Sequence, residues 1–303
     1  MDSLMDVDEA LRLIRSLHVW ERDGERAPHK PLLLLLAFGR AANGMQRLIP
    51  WSEIETPLRK LLEEFGPARH SQHPEYPFWY LRNDGLWEIE KPELAGRRLR
   101  GNGRLGNPRI SELRRCNTRG GLPVQLYELV TGSQDVLREL AAEVLNRHFP
   151  ASFHEEIIEE IGLALEADRF WPYRNTKLEG DILEAYGFEC AVCGFGAGFG
   201  ARSFGVEGTF IRWPQAGGLP VVNNAVALCA IHKRAFERGA LGVDSRGRIL
   251  LSAALKTRGT SETLFRPYLG QLLRPPRFVA AAPDRECVKW HREQVFRGPA
   301  VEA

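Results

Sequence analysis

Four residues of this chain have the chemistry and spacing of metal ligands. Cys190 and Cys193 form one x2 pair, Cys229 and His232 another, and 35 residues separate the pairs. Three sulfurs and one imidazole nitrogen are a donor set for tetrahedral Zn2+. The first pair falls in a stretch that reads as a turn, where backbone amides approach both sulfurs. The second falls at a helix start, where the spacing turns Cys and His the same way. If these were merely small buried residues, two x2 pairs would have arisen by coincidence. Four protein ligands leave no open position, so the expected Zn2+ is structural and not the catalyst. Arginine carries a second chemistry. Eight Arg (97, 98, 100, 104, 109, 114, 115 and 119) stand against one acid, Glu112, within residues 97–119. Fields act within a Debye length of about 8 Å, so this local excess marks a polyanion surface better than the formal +2 of the whole chain.

The elements that must position these groups follow from periodicity. Leu4, Val7, Leu11, Ile14 and Leu17 recur at helical spacing. Pro31 followed by LLLLLAFGRAA predicts a second helix, apolar on most sides, with Pro in its first turn and Gly44 near its end. Residues 51–65 read as a third helix, with Ser52 as N-cap and Glu55 three residues on. Phe78, Tyr80 and the 86–89 run, divided by Asn83, Asp84 and Gly85, predict a β-hairpin. A helix over 133–147 and, after Pro150, a second helix carrying Glu155, Glu156, Glu159 and Glu160 complete the first half. Residues 167–177 read as the linker. Beyond it come a short helix at 182–186, the first Cys pair, the Gly-rich loop 194–200, strand-like segments, and a β pair within 239–251 turning at 244–247. The Gly-rich loop lacks the Lys and the flanking strand and helix of a phosphate-binding loop.

Composition bounds the class. With 303 residues, 44% hydrophobic and 26% charged, the chain can bury two cores and stay soluble. The longest apolar run, 32–38, is far shorter than the roughly 20 residues of a membrane-spanning helix. The acidic N-terminus is unlike a secretory signal, and five Cys argue against a disulfide scaffold. The expectation is an α+β, cytoplasmic protein with no membrane partner. Cys116 and Cys287 read as ordinary thiols, and His70, His73, His148, His154 and His291 belong to no constellation.

Over 173–290 the sequence resembles an HNH nuclease of the zinc-supported ββα-metal type found in sulfur-dependent type IV restriction endonucleases. The motifs are YGFECAVCGF, VEGTFIRWPQAGG and VVNNAVALCAIHKRAFERGAL. The resemblance implies a histidine base in the first β-strand, a bracing asparagine, and a second histidine holding Mg2+ or Mn2+. Phe210 stands at the first of these positions, Asn224 keeps the second, and Lys233, next to His232, replaces the third. A phenyl ring accepts no proton and an ammonium repels a divalent cation. The resemblance therefore implies a nuclease fold kept as a scaffold. Glu207 or Glu237 as substitute metal ligands would keep it active.

The first 150 residues resemble the sulfur-binding domain of the same enzymes, on Arg26-Ala-Pro-His29-Lys30-Pro, on Glu75-Tyr76-Pro77-Phe78-Trp79, and on Asn117-Thr-Arg119-Gly-Gly after the Arg-rich stretch. That domain reads double-stranded DNA in which one non-bridging phosphate oxygen is sulfur. Sulfur is larger and more weakly hydrated than oxygen while the charge stays, so discrimination needs an apolar concavity beside cationic donors. The resemblance assigns the walls to Tyr76 and Pro77, with Tyr80 nearby, and the donors to His29, Lys30 and Arg104. Arg109, Arg114, Arg115 and Arg119 would neutralise neighbouring phosphates. Phe78 and Trp79 read as core.

The expected architecture is thus a mostly helical sulfur-binding domain with a small β-hairpin (1–150), a helical linker (151–177), and a zinc-supported HNH domain (178–303). Its expected function is that of a modified-DNA reader. The alternatives are an active Mg2+- or Mn2+-dependent restriction endonuclease cutting near phosphorothioate sites, and a zinc-bearing protein-interaction module. The nuclease resemblance also suggests a homodimer.

Overall fold

The structure is a computed structural model that describes residues 5–22, 25–66, 72–95, 108–163, 176–199 and 202–302. The chain divides into two compact units, Met1–Arg22 with Arg26–Pro172, and Asp23–Glu25 with Tyr173–Ala303. Both mix helix and strand.

The first unit is built around one helix. α1 (Val7–Arg15) starts at Asp6, whose carboxylate accepts from the Glu9 amide at 2.7 Å. The strands β1 (Trp20–Arg22) and β2 (Glu25–Ala27) pair with each other. α2 (His29–Ala42) follows, then β3 (Leu48–Pro50) and α3 (Trp51–Phe65). Next are α4 (Glu75–Tyr80), β4 (Glu88–Ile89), α5 (Pro92–Ala95), α6 (Ile110–Arg115) and β5 (Arg119–Gly121). α7 (Val124–Gly132), α8 (Gln134–His148) and α9 (Ala151–Glu160) complete the unit. The apolar run of α2 has a simple cause. α3, α4, α7 and α8 all pack on α2, so Leu32, Leu33, Leu34, Leu35 and Phe38 are each fully buried.

The β-hairpin expected over 78–89 does not form. Residues 75–80 are the short helix α4, which runs into a 3-10 turn, Leu81–Asp84, closed by Gly85 with φ of 73°. Phe78 and Trp79 are adjacent and both buried, a pattern that helix packing allows and one-sided strand alternation forbids. The Phe78 ring meets Trp51 edge-on at 4.9 Å and Trp87 at 5.7 Å. β4 pairs instead with β5, which also pairs with β3, giving an antiparallel sheet of order β3-β5-β4. Its centre is glycine for a steric reason: a Cβ on Gly120 would stand 2.7 Å from Trp87 Nε1 and 3.0 Å from the Phe78 ring.

Two further expectations change. The N-cap of α3 is Pro50 and not Ser52, because the Trp51 amide donates to Thr118 O (2.8 Å) and the chain turns into the helix two residues earlier. Glu55 is then free of the cap and lies buried against Arg114. α9, placed by sequence in the connector, buries Phe153 and Ile157 and packs on α3 and α8. Its end docks on α2, where Asn43 Nδ2 donates to Gly162 O at 2.8 Å and a Cβ on Gly39 would meet Ile161 O at 2.1 Å. Residues 164–175 of the expected linker lie outside the described residues. α8 begins as expected, with the Ser133 hydroxyl accepting from Val136 N.

The second unit opens with α10 (Thr176–Ala185), longer than the expected 182–186. The Gly-rich stretch contributes to a strand pair, β6 (Ala197–Phe199) with β7 (Arg202–Phe204). β8 (Val206–Phe210) and β9 (Ala225–Cys229) pair antiparallel over five residues, Gly208 opposite Ala227. α11 (Ala230–Glu237) leaves β9 directly, and both α10 and α11 pack on this strand pair. β10 (Leu241–Val243) and β11 (Ile249–Leu251) form the last pair, turning at Asp244 as expected. α12 (Arg285–Gln294), capped by Asp284, ends the fold. Every residue of β9 is buried, so it forms the middle of this core. Among the described residues, no helix is long and apolar enough to cross a membrane.

Candidate metal centre and candidate nucleic-acid interface

Cys190 and Cys193 flank a tight turn after α10, and Cys229 is the N-cap residue of α11. Because β9 runs straight into α11, Cys229 and His232 share the first turn, where the x2 spacing presents both side chains to one point. The strand pairing carries the first knuckle to the same place, with the Ala191 amide donating to Ala227 O at 2.8 Å. The four ligand atoms lie within 4.8 Å of one another. Cys229 Sγ is 3.2 Å and Cys190 Sγ 3.5 Å from His232 Nδ1, and Cys193 Sγ is 4.0 Å from Cys229 Sγ.

The surroundings suit a cation. His232 Nε2 lies 2.7 Å from Leu264 O, a bond in which the nitrogen must donate, and that leaves the Nδ1 lone pair for a metal. Phe265 and Tyr268 meet the ring edge-on and exclude water. Cys190 titrates well below an ordinary thiol because Cys229 donates to its sulfur and holds the thiolate. This cluster can hold a metal ion.

The other nominated residues of this unit do not converge. Glu207 Oε2 is 2.5 Å from Lys233 Nζ, a partly buried ion pair joining β8 to α11. Alternation along β8 puts Phe210 on the opposite face from Glu207, and there Phe210 packs against the apolar core. Asn224 is 1% exposed and braces the preceding loop. Its Oδ1 accepts from Arg212 N (2.9 Å), and its Nδ2 donates to Arg212 O (2.9 Å) and Leu219 O (2.8 Å). Glu237 is buried at the end of α11. His232 and His291 are the two histidines beyond residue 172. His291 is 1% exposed, stacks on Phe236 at 3.7 Å and bonds to its carbonyl, and burial pushes its pKa down to about 4.

In the first unit the nominated residues occupy adjoining elements. His29 and Lys30 form the first turn of α2, and α4, which carries Tyr76, Pro77 and Tyr80, packs on α2. Pro77 is buried, while Tyr76 is 41% exposed and presents an aromatic face to solvent. Lys30 Nζ is bound to Asp84 Oδ2 at 2.6 Å, with Lys30 16% and Asp84 7% exposed, so this lysine's charge is answered within the fold. Arg114 is answered in the same way. Its Nε and Nη2 reach the Glu55 carboxylate at 2.8 and 2.7 Å, and Arg114, then Arg59, hold that carboxyl below its usual range against the opposing effect of burial. Arg109 and Arg115 are exposed at the two ends of α6, and Arg119 donates to the neutral Gln46 Oε1 at 2.7 Å. Arg104, with Arg97, Arg98, Arg100 and His70, lies outside the described residues.

Sequence reading missed Asp84 and His73. His73 Nδ1 is 3.0 Å from the buried Glu75 carboxylate, and its ring stacks on Tyr76 with centroids 4.9 Å apart and planes at 17°. The two rings meet across a turn: His73 precedes α4, and the Tyr76 amide donates to His73 O at 3.1 Å.

The sequence model of one protein family, the ScoMcrA-like DNA sulfur-binding domain, matches residues 7–166. Among solved structures, the sulfur binding domain of ScoMcrA complexed with phosphorothioated DNA is 29% identical, over 50% of this chain and 94% of that one, with a TM-score of 0.43. The sulfur binding domain of SprMcrA complexed with phosphorothioated DNA is 26% identical over 52% and 95%, with a TM-score of 0.42. The sulfur binding and SRA domains of ScoMcrA, also complexed with phosphorothioated DNA, are 25% identical over 65% of this chain and 58% of that one, with a TM-score of 0.45. No curated protein matches the chain.

Proposed function

Because this chain belongs to the ScoMcrA-like DNA sulfur-binding domain family through residues 7–166, we propose that it recognises phosphorothioate-modified double-stranded DNA with its first unit. The family match carries this reading. The geometry supports it: an exposed Tyr76 beside a buried Pro77 supplies a firm apolar wall, and the basic first turn of α2 adjoins it. Charge attracts any phosphate, whereas only an apolar wall favours sulfur over oxygen. Within this reading His29 and Arg104 are the donors to the modified linkage. Lys30 and Arg114 hold the frame through Asp84 and Glu55, and Arg109, Arg115 and Arg119 bind flanking phosphates.

The second unit, in this reading, is an HNH-like scaffold closed by structural Zn2+ on Cys190, Cys193, Cys229 and His232. The Zn2+ supplies folding energy. Hydrolysis of DNA is not the expected outcome, because neither histidine of this unit is available as a base: His232 belongs to the cluster and His291 is buried and bonded. Lys233 also places an ammonium against Glu207, where a divalent ion would need the carboxylate.

The test uses matched duplexes with and without a single phosphorothioate, in the presence and absence of Mn2+. Selective binding without cutting is expected. Selective, Mn2+-dependent cutting would restore the endonuclease reading and point to Glu207 and Glu237 as ligands. Equal affinity for both duplexes would overturn the proposed function.

A further inference from the structure

We infer that His73 is a positioning residue for discrimination between sulfur and oxygen, acting through the ring of Tyr76. The inference rests on the proposed function and adds a residue that neither the motifs nor the family match supplies. Tyr76 projects from a helix of six residues and is 41% exposed, so the backbone alone leaves its ring free to change rotamer. The His73 ring lies against it, centroids 4.9 Å apart and planes 17° from parallel. The His73 ring is itself fixed at Nδ1 by the Glu75 carboxylate at 3.0 Å. Glu75 sits at the first position of α4 and is 7% exposed, so the anchor is part of the core while the two rings stand at its rim. The order of support is therefore buried carboxylate, imidazole, phenol.

This arrangement matters because sulfur is recognised by close apolar contact. Dispersion falls so steeply that a gap of about 0.5–1 Å forfeits a quarter to a half of the attraction. A wall that swings gives up that margin for sulfur while still attracting the phosphate charge. His73 thus affects the ratio of affinities for modified and unmodified DNA more than either affinity for charge. An aromatic stack of this kind is worth about 0.5–1.5 kcal/mol, which as a ratio of dissociation constants is roughly twofold to twelvefold.

The experiment measures Kd for the full chain on duplexes with and without one phosphorothioate, covering every dinucleotide context and both stereoisomers. It compares wild type with His73→Ala, His73→Phe and His73→Lys, each checked for an unchanged melting temperature. His73→Ala is expected to lower the modified-to-unmodified preference about threefold to tenfold while leaving the affinity for unmodified DNA and its salt dependence unchanged. His73→Phe, which keeps a ring against Tyr76 but loses the bond to Glu75, is expected to restore part of the preference, and His73→Lys none. An unchanged preference in His73→Ala overturns the inference. Equal loss on both duplexes, or rescue by Lys and not by Phe, overturns it too, because His73 would then act only as a charge on phosphate. A wild-type chain with no preference for sulfur removes the proposed function itself, an outcome visible before any variant is compared.

Discussion

The two units hold their working residues in place by different means. In the first, one all-round apolar helix, α2, is packed by four others, and the polar residues are props between elements: Lys30 on Asp84, Arg114 on Glu55. In the second, no helix exceeds ten residues among those described, and much of residues 252–284 is 3-10 turn or irregular. Here four ligand atoms tie the knuckle to the start of α11. A helical core gains stability from continuous apolar burial, while a unit made of short elements needs a cross-link. The first unit is held by packing between helices, and the second adds a Cys3His cluster that can hold a metal ion.

The strongest way to break this contrast is to remove the metal. A structural Zn2+ contributes on the order of 10 kcal/mol of folding free energy. Chelation, or Cys190→Ser, should therefore unfold the second unit while the first keeps its helical signal and its DNA affinity. Hydrogen exchange resolved along the chain checks this, and zinc analysis should find one ion per chain. Equal protection of both units with and without metal would remove the distinction.

The converse perturbation is Gly39→Val. The new side chain must enter space held by the Ile161 carbonyl, 2.1 Å from the Cβ position. Overpacking against backbone should destabilise the first unit by about 3–4 kcal/mol, read from its denaturation midpoint, with the second unit unchanged.

Acid should separate the units more gently. His291 stays neutral in the fold, its pKa pushed from 6.5 to about 4 by burial. The unfolded chain takes up the proton first as pH falls below 6.5. This stability is complete above that value and is lost as pH drops towards 4, by about 3 kcal/mol at most. His291→Phe in zinc-loaded protein should flatten the dependence over that range, and an unchanged slope would assign it to other groups.

The smallest expected effect lies on the DNA surface. Removing Arg109, Arg115 and Arg119 together should lower the slope of log K against log salt by roughly 0.9 for each phosphate that is no longer neutralised. Arg114→Ala should act mainly through stability, since its guanidinium is spent on Glu55. Binding measured at several salt concentrations distinguishes the two.

Much of the local structure was legible before folding. Ser133 at the head of α8 and the turn at Asp244 are short-range solutions to unpaired backbone groups. The hairpin expected over 78–89 failed for the opposite reason. An aromatic run between prolines suits a strand in isolation and became α4 because α2, Trp51 and Trp87 offered surfaces to two adjacent rings. His73 precedes α4, and it is the turn there, with the Tyr76 amide donating to His73 O, that brings its ring against Tyr76.

The Cys3His cluster was written in the sequence because each pair closes within one turn, where spacing alone sets direction. The basic stretch was written there too, as an unpaired excess of charge. Tertiary structure decided which charges remain available. Lys30 and Asp84 are 54 residues apart, and Arg114 and Glu55 are 59 apart. No local pattern pairs residues at such separations. Only the packing of α2 with its neighbours, and of α3 with α6, brings these partners within reach.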